Sequence, residues 1–301
     1  MKIVKYLIVF SLLFSFGAYA QNAKRAVLDS GIYLVDYNTK ELQETFDEFL
    51  YDEYLEPFGN KYPRIFLKTM PSDFAALEDQ TYRNQVFIKI LMPLILLVNE
   101  EVLQERAEIL NISEEFKKNK DVTQEQMQRL EELAAKYDVV TPFKDTRRYM
   151  KLLADLSEKV DIVPPSILLA TAAVYTNWGT SRVAIEANNL YKAKLWYTTQ
   201  GLKPEGDEKD GYTYKIYDSL EDSIRDYVFK LNSNINYKTF RDARAVSRKR
   251  ESVLYGRRLD FSMFADSQMP NFAGLVDYIL TYYQMSLMDE AVLEASYGSE
   301  N

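Results

Sequence analysis

The longest apolar segment of the chain constrains its fold more than any other feature. Residues 86–98 read Val-Phe-Ile-Lys-Ile-Leu-Met-Pro-Leu-Ile-Leu-Leu-Val and are apolar at almost every position. A membrane-spanning helix needs about 20 apolar residues, whereas this segment is shorter and carries Lys89. We therefore expect a buried helix, kinked at Pro93, that continues into the charged, amphipathic residues 99–110. A membrane span is the alternative interpretation.

Helical periodicity continues through most of the remaining chain. Residues 123–126 fit a capping box that opens a helix ending near Tyr137. Residues 191–197 and 212–217 are short aromatic runs joined by a turn-rich acidic link, which predicts a β-hairpin. The fold class is therefore mainly α with a small β-hairpin lobe. We also predict a short strand within 31–37 and helices over 40–55, 144–158, 165–178, 219–232, 237–254 and 271–290.

The chain divides into four predicted parts. They are a signal peptide over 1–20, a helical N-terminal region over 21–140, a second domain over 141–290 and a frayed tail over 291–301. In the signal peptide, Lys2 and Lys5 precede an apolar core, and Ala18-Tyr19-Ala20 forms a small-x-small cleavage site. We expect cleavage near Ala20, export to the periplasm, and membrane contact only through the transient signal. An uncleaved inner-membrane anchor is the alternative.

The composition excludes several classes of chemistry. The 301 residues include neither Cys nor His, which removes disulfides, zinc–thiolate sites and Ser-His or Cys-His mechanisms. A catalyst would have to use carboxylates, Lys, Tyr or a carboxylate-bound metal. The formal net charge of −8 disfavours general nucleic-acid binding. Because metal-ligand spacings and phosphate-binding Gly-rich loops are also missing from the sequence, we expect no cofactor, metal or nucleic-acid partner.

One segment carries a motif with a chemical meaning. Residues 172–179 read Ala-Ala-Val-Tyr-Thr-Asn-Trp-Gly, and Asn188-Asn189-Leu190 follows shortly after. This stretch resembles the active-site segment of bacterial glucosaminidases, peptidoglycan hydrolases of glycoside hydrolase family 73. The similarity covers roughly residues 85–290 and is strongest to a Bax-like periplasmic branch. It implies a lysozyme-like helical fold for the second domain.

The family motif reads roughly Ala-Ala-x-Glu-Ser-x-Trp-Gly, and the resemblance implies that its Glu is the general acid. Tyr175 occupies that position here, and Phe272 best matches a family Tyr that points into the groove. A carboxyl in an apolar pocket can be tuned to a pKa of ~6 and donate a proton at neutral pH. A phenol starts near ~10, and losing general acid catalysis typically costs about 10²–10⁴ in rate. The catalytic position therefore looks disabled.

Other side chains are candidates for the remaining roles. Glu186 and Asp210 are the fallback acids, although the sequence favours the interpretation that both are solvated turn or cap residues. Five residues are predicted to contact sugar in the groove: Trp178, Asn189, Tyr191, Trp196 and Tyr214. A run of cations could form a surface patch for phosphate or carboxylate groups, or a solvated helix face: Arg241, Arg244, Arg248, Lys249, Arg250, Arg257 and Arg258.

Three functions follow as hypotheses. The first is a periplasmic glucosaminidase-like protein that lacks normal catalysis, binds peptidoglycan glycan strands and supports envelope integrity. The second is an active endo-β-N-acetylglucosaminidase that uses a displaced carboxylate. The third is an interaction module whose groove binds another envelope protein. The sequence does not indicate an oligomeric state.

Overall fold

The computed structural model describes residues 24–52, 60–140, 146–206, 211–259, 264 and 269–295. The predicted signal peptide and Asp210 lie outside these residues. Within the described part of the chain, every helix is too short or too polar to cross a membrane. Side chains of the apolar segment, among them Phe87, Leu91 and Ile95, are buried in the protein core.

That segment lies in the longest helix of the structure, α2 (Gln80–Asn119). The helix begins where the Asp79 side chain accepts from the backbone N–H groups of its first turn, and it ends at Lys120 in the left-handed conformation. It extends nine residues beyond the predicted end at 110. Lys89 is tolerated in the apolar half because its Nζ reaches Asp52 at 2.6 Å. Pro93 lies inside the helix, and a kink there stays a prediction.

Eight further helices surround α2 in the described residues. Among them, α4, α5 and α7 pack directly against it. The predicted capping box at the start of α3 is confirmed, with Thr123 and Gln126 bonding to each other's backbone N–H groups. The helices are α1 (Thr39–Glu48), α3 (Gln124–Lys136), α4 (Thr146–Lys159), α5 (Pro165–Thr176), α6 (Arg182–Ala187), α7 (Leu220–Ser233), α8 (Lys238–Arg248) and α9 (Phe272–Tyr282).

Three small sheets complete the described fold. Strands β1 (Arg25–Leu28) and β2 (Gly31–Leu34) are antiparallel, and β4 (Ile65–Leu67) pairs with β2 in parallel. Strands β5 (Lys194–Trp196) and β6 (Tyr212–Tyr214) form the predicted hairpin. The mainly α class with a hairpin lobe is confirmed.

The third sheet corrects the prediction of a frayed tail for residues 292–294, whereas residues 296–301 of that tail lie outside the described part of the chain. Strand β7 (Val292–Leu293) pairs in parallel with β3 (Lys61–Tyr62), and the backbone of Glu294 bonds to the Tyr62 carbonyl at 2.9 Å. Two segments about 230 residues apart are therefore joined. Local composition could not reveal this pairing, because each strand has only two residues. The domain boundary near residue 140 stays a prediction.

The predicted basic surface patch is wrong for its central members. Arg241 and Arg244 are among the most buried side chains of the protein. Arg244 donates to Asn232 Oδ1 and to four backbone carbonyls, including those of Glu158 and Lys159 at the end of α4. Arg248 pairs with the buried Asp161 at 2.6 Å. These guanidinium groups satisfy otherwise unpaired carbonyls and hold α4, α7 and α8 together.

Asp161 is the anion at the centre of this network. Burial opposes ionisation of its carboxyl, but the hydrogen bond from Arg248 and the charges of Arg244 and Arg106 hold its pKa below the ordinary value. The carboxylate is therefore charged at neutral pH and neutralises part of the buried positive charge.

Candidate functional site

Tyr175 stands in the last turn of α5, and its ring lies against the first residue of α9. The ring centroids of Tyr175 and Phe272 are 4.3 Å apart with planes inclined by 29°. Phe264 meets Phe272 edge-on, with ring centroids 5.2 Å apart. Tyr175 is half-buried and Phe272 is buried. Two positions 97 residues apart thus form one stacked pair, an arrangement favoured between aromatic rings.

A lysine and a further tyrosine lie close to the Tyr175 ring. The Nζ of Lys192 lies 6.0 Å from the Tyr175 ring centroid. Burial, and secondarily the charge of Lys194, lowers the pKa of Lys192. Burial raises the pKa of Tyr227, and the nearby Tyr175 hydroxyl raises it further. The surroundings of Tyr175 thus combine apolar rings with one half-buried cation.

Tyr191 and Asn189 were predicted to contact sugar, but both are buried. Tyr191 stacks on Tyr227 with centroids 4.1 Å apart, and its hydroxyl donates to the Leu168 carbonyl at 3.4 Å. The Asn189 amide donates to the carbonyls of Ala193 and Lys215 and accepts from the Ala193 N–H. Their polar atoms are used within the protein. Asn189 thus ties together the residues that flank β5 and β6, whereas Tyr191 packs between α5 and α7.

The hairpin carries the exposed aromatic side chains. Trp196 is 52% exposed and lies 5.4 Å from Tyr212 between ring centroids. Tyr214 meets Tyr212 edge-on at 5.5 Å, and Lys194 Nζ lies 3.8 Å from the Tyr212 centroid. This hairpin face, defined by Trp196, Tyr212, Tyr214 and Lys194, brings together two of the predicted sugar contacts. Tyr212 was missed, although its place two residues before Tyr214 puts it on the same side of the strand.

Of the two fallback acids, Glu186 is the one that the structure describes, and it lies on the surface in an ion pair. Glu186 is exposed, and both its carboxyl oxygens accept from Arg182 Nε at 3.1 Å. Arg182 also donates to the Lys203 carbonyl. The Glu186 carboxylate is thus held in a surface ion pair with the side chain one turn before it in α6. Asp210 lies outside the described residues.

Trp178 packs against α2 and the residue that follows α9. It is buried and packs on Phe87 at 5.8 Å and Tyr283 at 4.7 Å between ring centroids. It also lines a cleft of about 470 Å³ between the start of α2, the end of α5 and α9. This cleft was not foreseen, although Tyr278, Tyr282 and Tyr283 recur at helical spacing. Groups of three or more carboxylates arranged to hold a metal do not occur among the described residues.

Comparison with known proteins assigns this part of the chain to a family. The family model named Glucosaminidase, described as mannosyl-glycoprotein endo-beta-N-acetylglucosaminidase, matches residues 150–279. Residues 150–279 belong to the glucosaminidase family. The glucosaminidase domain therefore contains Tyr175, Phe272 and the hairpin, whereas the whole of α2 lies outside the matched residues.

Two curated proteins share this similarity. Protein bax of Escherichia coli K12 is 31% identical over 172 residues, covering 56% of this chain and 58% of that protein. Peptidoglycan hydrolase FlgJ of Vibrio parahaemolyticus is 33% identical over 126 residues, covering 38% of this chain and 40% of that protein. The chain thus spans between two fifths and three fifths of these relatives. The assignment agrees with the lysozyme-like fold predicted for the glucosaminidase domain.

A solved structure adds a weaker likeness. The catalytic domain of the autolysin Auto from Listeria monocytogenes shares 16% identity, with a TM-score of 0.31. The similarity covers 62% of this chain and 86% of that domain. A TM-score this low adds nothing to the family assignment.

Proposed function

We propose that this protein is a periplasmic member of the glucosaminidase family that does not hydrolyse glycan by the family's usual mechanism. In this proposal it binds peptidoglycan glycan strands and supports the integrity of the cell envelope. The observation that carries the proposal is the stack of Tyr175 on Phe272, 4.3 Å between ring centroids. It stands where the resemblance implies a proton-donating Glu beside a groove Tyr.

The chemistry of the two rings opposes ordinary glycosidase catalysis. Cleavage of a glycosidic bond requires an acid that protonates the leaving oxygen as an oxocarbenium-like state forms. A phenol is a much weaker acid than a carboxyl, and Phe272 has no ionisable group at all. Loss of general acid catalysis alone slows such reactions by about 10²–10⁴. The Tyr175 side chain is also half-buried, with its ring against Phe272.

Glycan binding is supported by the hairpin face. Trp196, Tyr212 and Tyr214 offer ring surface and hydroxyl groups on a rigid two-stranded element. Aromatic side chains combine a large apolar area with a polar edge, which suits the mixed faces of a sugar. The Lys194 ammonium, 3.8 Å from the Tyr212 centroid, adds a cation for acidic groups of peptidoglycan.

The proposal is tested by comparing sacculus digestion and sacculus binding. Purified sacculi are incubated with the wild type, with Tyr175→Glu and with Tyr149→Glu, and released muropeptides are measured. Tyr149 is a half-buried tyrosine in α4 and controls for the substitution itself. We expect no release by the wild type or the control, and any gain to be confined to Tyr175→Glu. Sedimentation of the wild type with sacculi should show binding.

Other outcomes favour the alternative functions. Release by the wild type as fast as by Tyr175→Glu would contradict the non-catalytic role. Its loss in Glu186→Gln or Asp210→Asn would then identify a displaced acid. A wild type that neither digests sacculi nor sediments with them would favour a groove that binds an envelope protein.

A further inference from the structure

The cleft beside Trp178 has a wall that the glucosaminidase domain does not supply. Asn84 near the start of α2 and Tyr283 just after α9 both line it, and both lie outside the matched residues 150–279. Trp178 forms part of its interior, packed on Tyr283. Its volume of about 470 Å³ falls within the range of small-molecule sites. The described residues that line the cleft include none of the hairpin face and neither ring of the stack, although Val174 is the neighbour of Tyr175 in α5.

A buried acceptor in this cleft lacks a donor. Asn84 is only 2% exposed, and its Nδ2 donates to the Tyr283 hydroxyl at 2.8 Å. Its Oδ1 has no hydrogen-bond partner among the described residues. Buried polar atoms are rarely left unpaired, because such an atom has lost its hydrogen bonds to water. A ligand N–H or O–H group in the cleft would satisfy this oxygen once a rotation of the Asn84 side chain turns the oxygen toward the cleft.

The other walls indicate what kind of ligand would enter. The described residues that line the cleft include no charged side chain, which disfavours an ionic ligand. Tyr278 and Tyr282 stack on each other with centroids 5.6 Å apart at the rim, and Tyr282 is 67% exposed. Their ring faces match the C–H face of a pyranose, and Gln80 and Asn84 supply amides for its polar edge.

We propose that this cleft is a second saccharide site that binds one or two neutral pyranose rings, with Asn84 Oδ1 accepting from the sugar. This goes beyond the proposed function, because the site lies apart from the hairpin face and does not depend on the missing acid. It would give the protein two separate contacts along a glycan.

Sugar binding in the cleft can be followed separately from binding at the hairpin, because the chain has one tryptophan in each place. Trp178 lies in the cleft and Trp196 lies in the hairpin, so Trp196→Phe leaves Trp178 as the sole tryptophan. The full protein carrying Trp196→Phe is titrated with N-acetylglucosamine and with its β-1,4-linked dimer while tryptophan emission is recorded. We expect a saturable change in Trp178 emission with at least one of the two sugars.

Variants locate the binding site. In the Trp196→Phe background, Asn84→Ala should weaken binding about tenfold, as expected for a lost buried hydrogen bond. Tyr282→Ala should weaken sugar binding by a similar factor. Because Tyr282 is exposed, we expect this variant to fold, and it tests the site even if Asn84→Ala does not fold. The matched control is Tyr197→Ala, which removes a hairpin tyrosine that is 95% exposed and should leave the Trp178 response unchanged.

Two results would overturn the second site. One is an emission that does not change saturably with either sugar, as expected if only water satisfies Asn84. The other is a response that Tyr282→Ala leaves unaltered, which would place the sugar elsewhere. Neither result bears on the non-catalytic role, which is read from muropeptide release, or on the hairpin face, which is read through Trp196.

Discussion

The Asp289 carboxylate caps the helix that carries Tyr175 by accepting both hydrogen-bond donors of Ser166. The backbone N–H and the hydroxyl of Ser166 lie 2.9 and 2.8 Å from its two oxygens. The Gly256 N–H adds a third bond at 2.8 Å. Pro164, at the cap position of α5, has no side chain that could serve. A carboxylate from a distant turn therefore satisfies the first turn of α5 and complements the helix dipole.

This contact predicts a pH-dependent stability. Burial raises the pKa of Asp289 to about 6, against the opposing effect of its three hydrogen bonds. The folded protein therefore holds this proton more tightly than the unfolded chain does. The resulting stabilisation is complete below about pH 4 and is lost as the pH rises through about 6. We expect the wild type to lose about 3 kcal/mol in unfolding free energy between pH 4 and 7 relative to Asp289→Asn.

Urea unfolding at several pH values measures this difference. Asp29→Asn, which alters an exposed aspartate in the turn between β1 and β2, should keep the wild-type profile. Parallel profiles for the wild type and Asp289→Asn would show that the carboxyl of Asp289 titrates alike in the folded and unfolded chains.

Arg244 should be far more important for stability than a surface arginine of the same sequence run. Arg244→Ala leaves the buried Asp161 with less compensation and removes donors from four carbonyls, so we expect a loss of about 3–5 kcal/mol. Arg257→Ala breaks a half-exposed pair with Asp277 at 3.6 Å and should cost at most about 1 kcal/mol. Urea unfolding at pH 7 compares the two variants. Equal losses would mean that the buried network contributes no more than the surface pair.

Gly179 is required by space as well as by conformation. Its φ is +81°, and an added Cβ would lie 2.8 Å from the Phe87 ring and 2.9 Å from Met70 Cε. Gly211, at φ +64°, would meet no described atom within 4 Å. Both Ala variants incur backbone strain, but Gly179→Ala should cost about 1–3 kcal/mol more, through overpacking. Thermal unfolding of the two variants measures this difference. Similar melting temperatures would mean that both lose stability through backbone strain alone and that overpacking at Gly179 contributes nothing.

Trp196 should dominate binding by the hairpin face. Because its ring is half-exposed and anchored beside Tyr212, Trp196→Ala should weaken sedimentation with sacculi at least about fivefold, as for a central contact residue. Its effect on unfolding free energy should stay within about 0.5 kcal/mol. Ile235→Ala removes another exposed apolar side chain, far along the sequence from the hairpin, and should bind as the wild type does. Binding unchanged by Trp196→Ala would remove the hairpin face from the glycan site.

Much of the local structure could be predicted from the sequence, because its signals act over a few residues. The capping box at Thr123, a helix end just before Gly179 and the aromatic strands of the hairpin all depend on neighbours within one or two turns. The presence of Tyr175 in place of the family Glu could be recognised for the same reason, because the motif spans only eight residues. Its packing partner Phe272 was identified only as a position, since the stacking depends on how α5 and α9 meet.

Burial and long-range pairing were decided by the tertiary structure. An arginine-rich helix looks solvated in sequence, yet Arg244 is buried because the carbonyls at the end of α4 and Asp161 converge on it. Asn189 and Tyr191 are residue types that often contact ligands. In the fold, however, their polar atoms bond to backbone groups of the protein, and the Tyr191 ring stacks on Tyr227. The pairing of β3 with β7 and the cleft around Asn84 arise from segments some 200 residues apart. Periodicity records which face of an element is apolar; which distant element covers that face is set by packing of the whole chain.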